Sequence, residues 1–242
     1  MTRTNTGSAM MNLPMADGAR VQGGFTLVEL MIAMVLGAIV AAAVMTSFVS
    51  QNRSYLAQDD MVEMQQNGRS ALDMLTRDLR SAGFDPNNLG AAVTAATANS
   101  ITFTREDDLP ANGLETVTYS LFDAYTLDVP PTNDGLVDDL ARQVIPAIPP
   151  APLPVADVIA ENISQLEFRY LDSDGNVLPA PIDLDEIRAI QISLLAVAAN
   201  PDRSFTGAVT YTAASGALWG PFNDNIRRRL MTTTVQCRNL GL

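Results

Sequence analysis

Residues 23–40, GGFTLVELMIAMVLGAIV, place one acidic side chain, Glu29, at the start of an apolar run that continues to Val49. The twenty residues from Leu30 to Val49 carry no charge. As an α-helix rising about 1.5 Å per residue, they would extend roughly 30 Å, the thickness of a bilayer core. The run therefore predicts a helix that spans a membrane once. A carboxylate at its entrance is costly in lipid and calls for a partner.

The charges on either side of this run predict its orientation. Arg3 and Arg20 precede it, and Asp59 and Asp60 follow it. Because positive charge stays on the cytoplasmic side, we expect a cytoplasmic N-terminus and a chain that continues on the opposite side. One simpler alternative is a cleaved secretory signal, whose apolar region is usually about 7–15 residues long. Another is a plain uncleaved anchor, which leaves Glu29 unexplained.

The Gly24–Phe25 junction, the glutamate at Glu29 and the apolar run together resemble the cleavage and methylation motif of type IV prepilins and type II secretion pseudopilins. The resemblance implies cleavage between Gly24 and Phe25 by a membrane prepilin peptidase and N-methylation of Phe25. It also implies that the helix packs in a filament core, where Glu29 takes part in subunit assembly. Its carboxylate can pair with the cationic amine of a neighbouring Phe25, and the two charges are costly in lipid when separate.

This resemblance divides the chain into four segments. They are a prepilin leader at 1–24, a transmembrane and filament-core helix at 25–49, an amphipathic stem helix at 50–84 and a globular β-rich head at 85–242. The expected location is the bacterial inner membrane as a single-pass protein, with the N-terminus cytoplasmic and the head periplasmic. The mature chain would then enter an extracellular pilus or a periplasmic pseudopilus.

The stem has a recurring apolar face at helical spacing, carried by Leu72, Leu75 and Leu79. Gly83 and Pro86 predict the end of a helix of about 55 to 58 residues. The stretch NGRSALDMLTRDLRSAGF at 67–84 is similar to PilW-like minor pilins and to the related J-type pseudopilin. Its charged residues are expected to form a solvated helix face: Arg69, Asp73, Arg77 and Asp78.

The head shows short runs rich in β-branched and aromatic residues, which indicate strands. They are residues 100–105, 115–122, 164–171, 187–197 and 208–213, with a final strand within 229–240. An α+β, pilin-like fold follows, in which the long N-terminal helix packs on an antiparallel sheet. Residues 132–142, TNDGLVDDLAR, suggest a short capped helix, and the proline-rich residues 144–158 suggest an extended connection.

The composition excludes several classes of site. The chain has no histidine and a single cysteine, Cys237, so Ser-His-Asp triads, histidine-zinc sites and internal disulfides are excluded. The formal net charge of -12 argues against nucleic acid as a partner, because phosphate binding needs a concentrated basic surface. We therefore expect a protein that is not an enzyme and has no required cofactor.

Two polar stretches of the head are candidate sites. Asp172, Asp174 and Asn176 alternate in YLDSDGNVL at 170–178 and could offer oxygens to Ca²⁺, but the stretch lacks the EF-hand spacing. The preferred interpretation is a tight hairpin turn, which needs no ion. The second stretch is the arginine cluster 227–229, interpreted either as a solvated or charge-matched strand end or as a docking surface for an acidic neighbour.

The sequence thus predicts a minor pilin of a type IV pilus, acting in assembly or at the tip. Its expected partners are other pilin or pseudopilin subunits, the prepilin peptidase and the inner-membrane assembly platform. One alternative is the J-type pseudopilin of a type II secretion system. An alternative of another class is an extracytoplasmic binding module or enzyme anchored by the span, and an adhesin role for the head also remains open.

Overall fold

The long N-terminal helix exists as the sequence predicts. The structure is a computed structural model that describes residues 24–106, 113–122, 139–148 and 154–241. Helix α1 is Leu27–Ser81, 55 residues long. Gly83 follows it with a φ of +74°, the left-handed conformation expected just beyond a helix end. The chain divides into two compact units, Met1–Asn52 and Arg53–Leu242.

The head is built from short antiparallel strands. Among the described residues, one sheet has the order β1-β2-β3-β4-β5, a second has the order β10-β7-β6, and β8 pairs with β9. A short 3-10 helix, Leu184–Glu186, precedes β7. The strands are β1 Val93–Ala96, β2 Ser100–Glu106, β3 Leu114–Phe122, β4 Asp139–Ile145, β5 Asp157–Ala160, β6 Ile163–Leu171, β7 Ala189–Val197, β8 Tyr211–Thr212, β9 Leu218–Trp219 and β10 Arg228–Gln236.

One face of the head-side part of α1 is buried. Its apolar contacts recur every three or four residues, as expected for a helix that lies on a sheet. Leu75 and Leu79 are fully buried, and burying each such side chain contributes roughly 1.5–3 kcal/mol. At Gly68 the helix comes close to β10, because a Cβ there would lie 2.8 Å from the side chain of Met231.

The strands alternate buried and less buried side chains, which is why the sequence reveals them. Ile101 and Phe103 of β2 point into the same core as Val117 and Tyr119 of β3. β7 is buried on both faces from Ile192 onward, and its sequence is correspondingly an almost continuous apolar run.

Two local predictions are wrong. Residues 139–142 lie in β4 rather than in a short helix, and residues 132–138 of that expected helix lie outside the described residues. Leu140 is fully buried and paired with Leu121 of β3, so the long-range ladder overrides the helical spacing. The proline-rich stretch is also shorter than expected: its ends belong to β4 and β5, and residues 149–153 lie outside the described residues.

The other predicted strands are present in the structure, although one of them is much shorter than predicted. Residues 208–213 contain only the two-residue strand β8. The sequence also gave no indication of β1 or β5, which have four residues each.

Candidate assembly site

The predicted processing junction lies where the described residues begin, and its Phe25 side chain is exposed. Phe25 is 91% exposed, and α1 begins two residues later at Leu27. The Thr26 N–H and hydroxyl both donate to Oε2 of Glu29, at 2.8 Å and 2.9 Å, and the Glu29 N–H donates to the Thr26 hydroxyl at 3.2 Å. This reciprocal pattern is a capping box. It holds the Glu29 carboxylate in the first turn of α1, close to Phe25 in the sequence.

The apolar residues after Glu29 are exposed along the helix. Side chains from Leu30 to Val49 are not covered by any described part of the chain. Among the described residues, α1 is the one helix long and apolar enough to cross a membrane. A large contiguous apolar surface indicates burial in lipid or against another protein.

A buried polar network lies at the head end of the same helix, and the sequence analysis missed it. Asp78 is 6% exposed and accepts a hydrogen bond from the Tyr119 hydroxyl at 2.7 Å. Arg142 Nε donates to the same oxygen, Oδ2, at 2.6 Å, and Arg105 Nη1 lies 3.3 Å from Oδ1. The expectation that Asp78 belongs to a solvated charge face is therefore wrong.

Further partners complete the network, which connects strands β2, β3 and β4 to helix α1. Arg105 also donates to the Ser81 hydroxyl at 2.7 Å and pairs with the Glu115 carboxylate. The network therefore contains two arginines and two carboxylates, so that each buried charge has an opposite charge beside it, as buried ions require.

The pKa shifts in this network follow from burial and the Asp78 charge. Burial and the Asp78 carboxylate raise the pKa of Tyr119 above its ordinary value, so the hydroxyl stays a donor. Burial opposes the charge of Arg142, but its hydrogen bond and attraction to Asp78 more than offset this and raise the pKa of Arg142. A sequence signal for Asp78 did exist: it follows Leu75 by three residues, on the face that also carries Ala71.

The residues proposed for calcium form a tight turn after β6. Asp172 Oδ1 accepts the N–H groups of Asp174 and Asn176 at 2.9 Å and 2.8 Å, and Oδ2 accepts the Asn176 side-chain amide at 3.1 Å. Gly175 has a φ of +82°, as such a turn requires. These hydrogen bonds, led by the Asn176 amide, lower the pKa of Asp172. In the described part of the chain, no group of three or more His, Cys, Asp or Glu side chains is placed to hold a metal.

One measurement decides between the hairpin turn, which is the preferred interpretation, and calcium binding. Because Asp172 already has protein partners on both oxygens, we expect millimolar Ca²⁺ to leave the melting temperature of the chain unchanged. Thermal unfolding with Ca²⁺, with Mg²⁺ and with chelator would show this. A Ca²⁺-specific rise that Asp174→Ala abolishes would contradict the hairpin interpretation.

Two of the three clustered arginines are paired with acids of the loop between β7 and β10. Arg227 donates to Asp202 at 2.9 Å and lies 4.7 Å above the Phe205 ring. Arg228 makes two hydrogen bonds to the Asp224 carboxylate, at 2.7 Å and 2.6 Å. These contacts support charge matching for this pair of arginines and leave Arg229 exposed.

The loop contact predicts a specific pH dependence. Hydrogen bonds from Ser204, and then Arg227, lower the pKa of Asp202 to about 2 from an ordinary 3.8. A lowered folded-state pKa stabilises the fold above the unfolded value, and this contribution is lost as the pH falls toward 2. The urea midpoint of Asp202→Asn should lie below that of the unmodified chain at pH 6 and converge with it near pH 2. A constant difference from pH 6 to pH 2 would contradict the assignment.

Comparison with known proteins agrees with both ends of this description. The family profile described as the prokaryotic N-terminal methylation motif matches residues 19–45, which include Gly24, Phe25 and Glu29. The profile described as Type IV Pilus-assembly protein W matches residues 155–239, from just before β5 to just beyond β10. The chain is thus similar to type IV pilin families in two separate segments, the N-terminal motif and the second half of the head.

Solved structures and curated proteins were also compared with the chain. A type IV-like pilin from Thermus thermophilus is similar in structure, with a TM-score of 0.48 and 15% identity over 74% of this chain and 98% of that chain. No curated protein matches the sequence. The predicted resemblance to type IV pilins and the α+β class are confirmed, whereas the roles of Gly24, Phe25 and Glu29 stay predictions.

Proposed function

We propose that this pilin is a minor subunit of a type IV pilus, cleaved after Gly24, N-methylated at Phe25 and acting in pilus assembly or at the tip. One observation carries the proposal: an exposed N-terminal methylation motif is followed by an exposed apolar helix and then by a head whose residues 155–239 match the pilus-assembly protein W profile. Pilin-family proteins are structural subunits, in keeping with a role that is not enzymatic.

The apolar half of α1 gives the protein two environments. Its exposed side chains are covered by lipid before assembly and by helices of other subunits afterward, so the transfer need not expose them to water. The assembly platform would therefore take the subunit directly from the membrane. The N-terminus would remain on the cytoplasmic side until the prepilin peptidase has acted.

In this proposal, Glu29 sets the position of each subunit relative to its neighbour in the filament. Cleavage leaves a cationic amine at Phe25, and a neighbouring Glu29 carboxylate neutralises it in a medium where each charge alone is unfavourable. The capping box with Thr26 holds that carboxylate in one position before the neighbour arrives. Assembly then needs less ordering of the side chain.

The cleavage step has a direct test with matched variants. Gly24→Val places a branched side chain at the bond that the peptidase must bind, and we expect it to keep the leader attached. Gly37→Ala is the control, because a Cβ there meets no atom within 4 Å. Each variant is co-expressed with a prepilin peptidase, and the loss of residues 1–24 is measured by mass. Equal cleavage of Gly24→Val and the unmodified chain would contradict the assigned junction.

A J-type pseudopilin shares the N-terminal motif, and the match at residues 155–239 favours the pilus. Deleting the gene distinguishes the two machines. Loss of pilus-dependent motility or DNA uptake supports the pilus, whereas loss of exoprotein release supports the secretion system. An anchored enzyme or binding module would instead keep its leader and tolerate Glu29→Ala.

A further inference from the structure

The outer edge of β10 is a long strand edge that no described residue covers with a second strand. β10 pairs with β7 alone, and the ladder runs without interruption from Arg228↔Val197 to Gln236↔Ala189. The side chains of Thr232, Thr234 and Gln236 are exposed. Within the part of the chain that the structure describes, β10 is therefore the end strand of its sheet, and no strand pairs with its outer side from Leu230 to Gln236.

The direction of its peptide groups follows from two hydrogen bonds at the strand ends. The Ala198 N–H donates to the Arg227 carbonyl, and the Cys237 N–H donates to the Arg188 carbonyl, each at 2.9 Å. Because hydrogen-bonded and non-hydrogen-bonded pairs alternate in an antiparallel ladder, the odd-numbered residues of β10 face β7. The peptide groups that face outward belong to Arg228, whose carbonyl accepts from the Tyr211 hydroxyl at 3.2 Å, and then to Leu230, Thr232, Thr234 and Gln236.

The other outer strands of these two sheets are protected, whereas this edge is not. β1 and β5 have four residues each, and both contain a register shift. β6 contains a register shift, and on its outer side the Phe168 N–H donates to the Ala98 carbonyl at 2.7 Å. Residues 230–236, LMTTTVQ, have no charge, no proline and no register shift. Natural sheets normally use such devices to prevent pairing with another chain.

We propose that this edge accepts an extended, acidic strand from a different neighbouring subunit of the filament. The proposal rests on the minor-pilin function given above. Four outward N–H groups and four outward carbonyls provide the main-chain hydrogen bonds of strand addition, and the exposed threonines on one face contribute selectivity.

The charge at the two ends of the strand identifies the kind of partner. Arg229 and Arg238 are exposed, and neither forms an ion pair with any residue that the structure describes. A second copy of the same strand offers no carboxylate to either arginine, because residues 228–238 contain three arginines and no acid, and like charges brought together across two strands are destabilising. A strand with carboxylates at its ends neutralises both arginines instead.

Hydrogen exchange at single-residue resolution tests this pairing by its alternation. The chain solubilised from membranes is compared with the chain in sheared filaments. We expect the four outward amides of residues 230–236 to exchange readily in the membrane sample and to slow by about tenfold or more in filaments. The inward amides of Met231, Thr233 and Val235 should be slow in both.

The outcomes separate this proposal from the function on which it rests. Unchanged exchange of the outward amides, in filaments whose mass spectrum contains the mature chain, overturns the strand pairing alone. Absence of the mature chain from filaments overturns the pairing together with the minor-pilin function.

Backbone variants give an independent test. Thr232→Pro removes an outward N–H and leaves the ladder to β7 intact, whereas Thr232→Val changes only the side chain. We expect the proline variant to enter filaments about tenfold less than the valine variant. If proline also lowers the urea midpoint, Arg229→Glu with Arg238→Glu keeps the backbone and should reduce incorporation by repelling an acidic strand. Full incorporation of the charge-reversed chain would overturn the proposal.

The identity of the partner is tested by cysteine pairing. Cys237 is buried, so Thr232→Cys in a Cys237→Ala background supplies one exposed thiol. We expect no disulfide-linked homodimer in filaments. A homodimer would show that a second copy occupies the edge and would overturn the assignment to a different subunit.

Discussion

Asp78→Ala is expected to lower the free energy of unfolding of the head by about 3–5 kcal/mol. The carboxylate accepts from Tyr119 and Arg142 and pairs with Arg105, and its removal leaves these groups in the core without their acceptor. The two arginine side chains keep 17% and 22% exposure, which places the effect toward the lower end of that range. Urea unfolding followed by the fluorescence of Trp219 in β9 measures it.

Three variants control this result. Asp73→Ala removes an exposed acid from the same helix and should change the free energy of unfolding by no more than about 0.5 kcal/mol. Tyr119→Phe removes one donor and should cost about 1 kcal/mol, because the arginines still satisfy Asp78. Asp78→Asn should fall between Tyr119→Phe and Asp78→Ala. If Asp78→Ala and Asp73→Ala have equal effects, the network does not anchor α1 to the strands.

Glu29→Gln is expected to reduce incorporation into filaments by about tenfold or more while leaving cleavage after Gly24 intact. The glutamine oxygen can still accept from the Thr26 N–H and hydroxyl, so this variant keeps the cap and removes the charge. The neighbouring Phe25 amine then has no anion in an apolar core. The measurement is the ratio of mature chain in sheared filaments to mature chain in membranes.

Variants of Thr26 separate the charge from the cap. Thr26→Ser keeps the hydroxyl and should assemble normally. Thr26→Val removes the hydroxyl but keeps the Glu29 charge, so it should assemble better than Glu29→Gln. If Glu29→Gln assembles normally and Thr26→Val does not, helix capping rather than charge pairing is the role of Glu29.

The elements that were predictable from sequence are those with strong local patterns. The N-terminal apolar run, Gly83, the alternation in β2, β3 and β6, and the apolar sequence of β7 each depend on a few neighbouring residues. β4 was misassigned because residues 139–142 become a strand through pairing with β3 rather than through local preference.

The Asp78 network was not predictable in the same way. Its donors come from positions 27, 41 and 64 residues further along the chain, and only the folded sheet brings them together. The Gly24, Phe25 and Glu29 motif is the opposite case. It lies within residues 24–29, so it can be recognised from the sequence alone, and the structure adds the Thr26 hydrogen bonds.

Intact-mass and N-terminal analysis of the chain from membranes and from sheared filaments, with and without the prepilin peptidase, tests the central claim most directly. The account predicts a filament chain that begins at N-methylated Phe25, and only the unprocessed chain when the peptidase is absent. A chain that keeps residues 1–24 and remains in the membrane whether or not the peptidase is present would contradict the pilin function and favour an anchored module.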